Sequence, residues 1–173
     1  MVRVLLVPFL VLLILARERS ASYVAAVIFV IGAATDGLDG YLARRYDSTT
    51  RTGAWLDPLA DKIFVATPVL TLAALGEFPV WGAVILVGRE LAISLLRVVL
   101  GLQGRSLPAS RAAKLKTTLQ LLAITLYLLP LGEWADGLKL TVLVVALVLT
   151  VYTGLDYALQ TRRRSRDKPE VPR

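Results

Sequence analysis

Six apolar stretches, parted by short polar connections, divide this chain from end to end: residues 1–15, 21–45, 54–75, 80–102, 116–131 and 140–159. A helix that crosses a bilayer needs about 20 mainly apolar residues, because lipid offers no partner to a backbone N–H or C=O. The pattern therefore predicts an all-α, polytopic membrane protein with six transmembrane helices. Composition agrees, with 56% of the 173 residues hydrophobic and a mean hydropathy of +0.66. Ordinary soluble domains are less apolar than this. The first stretch is the shortest, and a signal peptide is its competing reading, but no small-residue cleavage site of the A-x-A type follows it.

The basic residues fix an orientation. Connection 103–115 and the segment 161–173, with Arg162, Arg163, Arg164, Arg166, Lys168 and Arg173, fall on one side of a six-span arrangement. The loop after residue 45 shares that side, while Arg17, Arg19 and Lys139 fall on the other. Lysine and arginine accumulate on the cytoplasmic face, so the richer side is predicted to be cytoplasmic, with both termini. Residues 1–160 then form one six-helix domain and 161–173 a basic cytoplasmic tail, solvated or drawn to anionic head groups. The net charge of +7 is accounted for by topology and calls for no nucleic acid. Trp134, in the last turn region, suits the membrane–water interface.

The end of the second stretch and the start of the third carry four carboxylates: Asp36 and Asp39, three apart, then Asp57 and Asp61, four apart. On helices each spacing puts both residues on one face. Two helix ends meeting across the loop would gather all four, and such a cluster stays ionised only beside cations. Oxygen ligands suit a hard divalent ion, Mg²⁺ first. The plainer reading is helix caps and surface charges. Against it stand Gly37 and Gly40, since a glycine costs a helix interior about 1 kcal/mol and is kept where backbones or ligands come close. The chain has neither cysteine nor histidine. Thiolate metal sites and disulfides are thereby excluded, and acid–base work falls to carboxylate, lysine or tyrosine.

The stretch resembles the signature of the CDP-alcohol phosphotransferase family, D-x-x-D-G-x-x-A-R-x8-G-x-x-x-D-x-x-x-D. Asp36, Asp39, Gly40, Ala43, Arg44, Gly53, Asp57 and Asp61 meet its eight fixed positions. The resemblance implies the six-helix fold of that family, a homodimer, and displacement of CMP from a CDP-linked lipid by an alcohol. It implies two divalent cations, Mg²⁺ with Mn²⁺ as the substitute, on Asp36, Asp39, Asp57 and Asp61. Asp61 also takes the proton of the attacking hydroxyl, which makes it the catalytic residue. Gly40, Ala43, Arg44 and Thr50 map to the CDP-lipid site; a local turn bond is the alternative use of Thr50. The family's N-terminal N-x-x-T-x-x-R is matched only by Arg3, which leads to the expectation that the Asn and Thr would lie before Met1.

Arg89 lies inside the fourth stretch, where an ionisable side chain is costly and functional by default. Glu90 is its neighbour, and adjacent helix residues point apart, so an ion pair between them is not assured. Arg97 lies about two turns on along the same face. Arg89-Glu90 with Arg97, then Lys114-x-Lys116-Thr117-x-x-Gln120, resembles the branch of the family whose acceptor is sn-glycerol 3-phosphate and whose product is phosphatidylglycerophosphate. Thr50-Arg-Thr-Gly-Ala-Trp-Leu-Asp-Pro-Leu-Ala-Asp-Lys62 fits the same branch. Arg89, Arg97 and Lys114 are then the expected ligands of the acceptor phosphate; the other use of Lys114 and Lys116 is a basic flank at the membrane surface. The expected substrates are CDP-diacylglycerol and sn-glycerol 3-phosphate, and the expected place is the cytoplasmic (inner) membrane, among its lipids, with the site facing the cytoplasm. Two alternatives remain: the same chemistry on phosphatidylglycerol or inositol phosphate, and a divalent-cation transporter with an aspartate-lined path.

Overall fold

The computed structural model describes the backbone of residues 2–46, 51–102 and 111–166, and side chains within 4–35, 62–99, 115–155 and at 159 apart from residue 97. The described backbone forms six α-helices in succession. They are α1 (Val2–Leu15), α2 (Arg19–Tyr46), α3 (Arg51–Ala74), α4 (Val80–Leu102), α5 (Arg111–Leu128) and α6 (Asp136–Arg166), with a 3-10 turn at Glu133–Ala135. No strand occurs among the described residues. The all-α expectation holds, and the helices run past the apolar limits read from sequence. The third begins at Arg51 rather than 54, the fifth at Arg111 rather than 116, and the sixth spans Asp136–Arg166 rather than 140–159. Hydropathy marks where apolar side chains stop, whereas hydrogen bonding carries a helix on through polar residues. The sixth helix thus continues into the basic segment. The fifth ends at Leu128, short of Pro130, which disfavours helical backbone before it.

Successive helices run up and down, as the contacts at one end show. Arg17 closes α1 in a left-handed conformation, φ 54°. Its guanidinium donates to the carbonyl of Leu75 at 3.2 Å and lies 3.8 Å from Glu77, so the α1–α2 and α3–α4 turns are tied together. The α3–α4 turn is a glycine-capped helix end. Gly76 takes φ +76°, its N–H reaches Ala73 O at 3.1 Å, and Glu77 N–H reaches Leu72 O at 2.9 Å. Phe78 packs on Tyr127 near the end of α5, with ring centroids 4.6 Å apart. The far ends of these helices carry the aspartates, Arg97 and Lys114.

Phe29, Phe64, Leu72, Leu86, Ile124 and Leu143 fill the core. The outer surface is apolar as well: Leu5, Val27, Leu70, Val84, Leu122 and Val148 are exposed, one on each helix in turn. A surface this apolar would be unstable in water and is at home in lipid. Hydroxyls are handled accordingly. Thr35, Thr67, Thr71, Thr125 and Thr141 each donate back to the carbonyl one turn earlier, at 2.7–2.9 Å. Among the described residues one stretch, Glu133–Leu155, is by itself long and apolar enough to cross a bilayer, with mean hydropathy 2.1. Val4–Leu15, Arg19–Thr35, Lys62–Ala74 and Leu115–Leu128 are shorter apolar helical stretches.

Candidate active site

Helices α2 and α3, which carry the aspartates, touch through Phe29, Gly32 and Phe64. Phe29 stacks on Phe64 with centroids 5.4 Å apart and planes 13° from parallel. Gly32, one turn on from Phe29, admits the edge of the Phe64 ring; a Cβ there would lie 2.5 Å from Cζ. No other residue leaves that space, so the two helices come close at Gly32. The stripe of α2 that makes this contact, positions 29 and 32, continues by helical register through 36 and 39. The stripe of α3 that carries Phe64 continues backwards through 61 and 57. By helical register alone, Asp36 and Asp39 follow on α2 and Asp57 and Asp61 precede on α3, about one to two turns from the aromatic stack. An all-oxygen donor set of four carboxylates is chemically suited to a hard divalent cation. The side chains of these four residues lie outside those described. So do those of Gly40, Ala43 and Arg44, whose backbone is in the last turns of α2. Thr50 lies outside the described residues altogether.

The fourth, fifth and sixth helices are joined by an ionic cluster. Arg89 Nη1 donates to Glu90 Oε1 at 3.0 Å, so the neighbouring residues do pair. They can because a long guanidinium bends back along the helix, a freedom that face-counting ignores. The same oxygen accepts from Lys116 Nζ on α5. Arg89 Nε donates to the carbonyl of Thr150 at 3.0 Å and Nη2 to the hydroxyl of Thr153 at 3.1 Å, both on α6. Gly154 lies against the guanidinium; a Cβ would come 3.2 Å from Nε. One fork of Arg89, its Nε–Nη2 edge, is thus filled by protein partners. Arg97, late in α4, and Lys114, in the first turn of α5, flank this cluster along the chain, and their side chains lie outside those described.

Sequence reasoning singled out Arg89 but missed Thr150, Thr153 and Gly154; it placed Lys116 in the branch pattern, with a basic flank as the other use, and gave it no partner. Lys116 is in fact buried, 6% exposed. Two threonines three apart, with a glycine beside the second, in an otherwise apolar helix were the available signal. A cavity of about 180 Å³ lies at the end of the bundle away from the aspartates, among Arg17, Glu77, Tyr127 and Pro130. It is remote from the segments of α2 and α3 that carry the motif.

Residues 1–152 match the CDP-alcohol phosphatidyltransferase family model. The chain is 37% identical over 166 residues to a probable phosphatidylglycerophosphate synthase of Mycobacterium tuberculosis, covering 94% of this chain and 79% of that protein. It is 38% identical to the CDP-diacylglycerol–glycerol-3-phosphate 3-phosphatidyltransferase of Sodalis glossinidius and 36% identical to that of Escherichia coli K12, covering 92% of this chain and 90% of each of those proteins. The family depends in general on divalent metal. With the motif complete and the match running through most of the chain, this protein belongs to the CDP-alcohol phosphatidyltransferase family.

Proposed function

We propose that the chain transfers the phosphatidyl group of CDP-diacylglycerol to sn-glycerol 3-phosphate, giving phosphatidylglycerophosphate and CMP. The observation that carries this reading is the near end-to-end similarity to relatives named for that reaction. The acceptor's primary hydroxyl oxygen attacks the phosphorus that bears diacylglycerol. A new P–O bond forms, the pyrophosphate P–O bond breaks, and its electron pair leaves with CMP. Asp61 takes the hydroxyl proton. Asp36, Asp39, Asp57 and Asp61 would hold two divalent cations, Mg²⁺ first, which when bound neutralise phosphate charge and acidify the hydroxyl. Gly40 and Ala43 leave room for the nucleotide, while Arg44 and Thr50 donate to its phosphates. Arg97 and Lys114, with the N–H groups that Arg89 has left, hold the acceptor phosphate.

The six helices cross the inner membrane with the site facing the cytoplasm, and two copies associate as a homodimer. The exposed apolar surface and the one-sided lysine and arginine support the membrane placement; the dimer rests on the family resemblance. An acceptor panel tests the reaction. Purified protein with CDP-diacylglycerol and Mg²⁺ should release CMP with glycerol 3-phosphate and much less with phosphatidylglycerol or inositol phosphate. A preference for either of those would reassign the acceptor, and no CMP with any of them would reopen the transporter reading.

A further inference from the structure

We infer that Glu90 is a positioning residue for acceptor recognition, holding Lys116 of α5 and Arg89 of α4 in place beside the proposed acceptor site. The inference rests on the proposed binding of the acceptor phosphate by basic residues of α4 and α5. One carboxylate oxygen, Oε1, receives both Arg89 from its own helix and Lys116 from α5. Arg89 in turn is fastened to α6 through Thr150 and Thr153. Helices α4 and α5 therefore meet at one anion, and α6 joins the cluster through Arg89. The cations are well withdrawn from solvent, with side-chain exposures of 7% for Lys116 and 16% for Arg89. A buried cation is costly unless a counter-charge and hydrogen bonds are held beside it.

The cluster stands where its displacement matters. Arg97 follows Arg89 by about two turns on the same helix face, and Lys114 precedes Lys116 by two residues on α5. The relative setting of α4 and α5 thus decides how far apart Arg97 and Lys114 stand. Helix α5 also packs against α2 and α3, which carry the aspartates, and against α6. A carboxylate that pins α5 to α4 accordingly sets the acceptor side against the metal side.

Two physical effects of removing Glu90 have opposite signs. Deleting a negative charge beside two cations makes the local potential more positive, which alone would strengthen phosphate binding and lower the acceptor KM. Loss of positioning would weaken binding and raise it. Initial rates of CMP release by the purified full-length chain separate them. Glycerol 3-phosphate is titrated at saturating CDP-diacylglycerol, then the reverse. For Glu90→Gln the acceptor KM should rise about tenfold while the CDP-diacylglycerol KM stays within about twofold, with partial recovery in Glu90→Asp. Gly154→Ala, which crowds Arg89 without changing any charge, should give the same split and decides the matter if Glu90→Gln does not fold. An unchanged or lowered acceptor KM in Glu90→Gln, or equal changes in both KM values, would overturn the positioning role. Failure of the unaltered protein to use glycerol 3-phosphate would sink instead the proposed reaction.

Discussion

Replacing Asp36, Asp39 or Asp57 by Asn keeps the side chain's shape and removes one charged oxygen. A hard cation at shared carboxylates supplies several kcal/mol of transition-state stabilisation, so each substitution should lower turnover by about a thousandfold or more. CMP release measured with Mg²⁺ in excess is the check; near-normal activity in one variant would take that residue out of the metal set. Arg97→Gln removes a guanidinium from the proposed acceptor site. A hydrogen bond to a charged group contributes about 1.5–3 kcal/mol, so the glycerol 3-phosphate KM should rise roughly ten- to a hundredfold with the CDP-diacylglycerol KM nearly unchanged. The aspartates were legible as a candidate cluster because their spacing, three apart and four apart, beside glycine, stands in the sequence itself. The Glu90–Lys116 pair was not. Its members stand on different helices, and which charges meet is decided by how those helices pack.

At the scale of helices, the α2–α3 contact at Gly32 and Phe64 is the described feature nearest in register to the proposed site. Gly32 leaves no room for a side chain, since even a methyl would stand 2.5 Å from the Phe64 ring. Gly32→Ala should therefore push the two helices apart, at a cost of about 1–3 kcal/mol, and disturb the aspartates one to two turns beyond. Phe64→Leu in the same chain vacates the ring's edge and should restore part of both the melting temperature in detergent and the rate of CMP release. Full activity in Gly32→Ala alone would mean that this contact does not govern the site. Glycine near the motif pointed to close approach from sequence, but that Phe64 is the ring received there came only with the fold. Helix existence and order were likewise legible from the six apolar stretches. Their limits were not, because Arg51–Ala54, Arg111–Lys114 and the basic end of α6 continue helices with polar side chains that hydropathy counts as loop.

For the molecule as a whole, the lack of native cysteine makes orientation directly readable. Single cysteines at Thr50, Arg105 and Arg166 should be labelled by an impermeant reagent from the cytoplasmic face only, and one at Glu77 from the opposite face only. Labelling of any of the first three from outside would break the six-span arrangement, and with it the gathering of aspartates and basic residues at one membrane surface. That gathering is what the proposed reaction requires: a lipid-borne nucleotide, two cations and a soluble dianion meeting in one place. The most direct measurement follows the acceptor itself. Purified protein is given CDP-diacylglycerol, Mg²⁺ and sn-glycerol 3-phosphate labelled in its phosphate, and label in the organic phase is compared with CMP released. Phosphatidyl transfer predicts one labelled lipid per CMP, with neither appearing when the acceptor is omitted. CMP without labelled lipid, or no CMP at all, would contradict it.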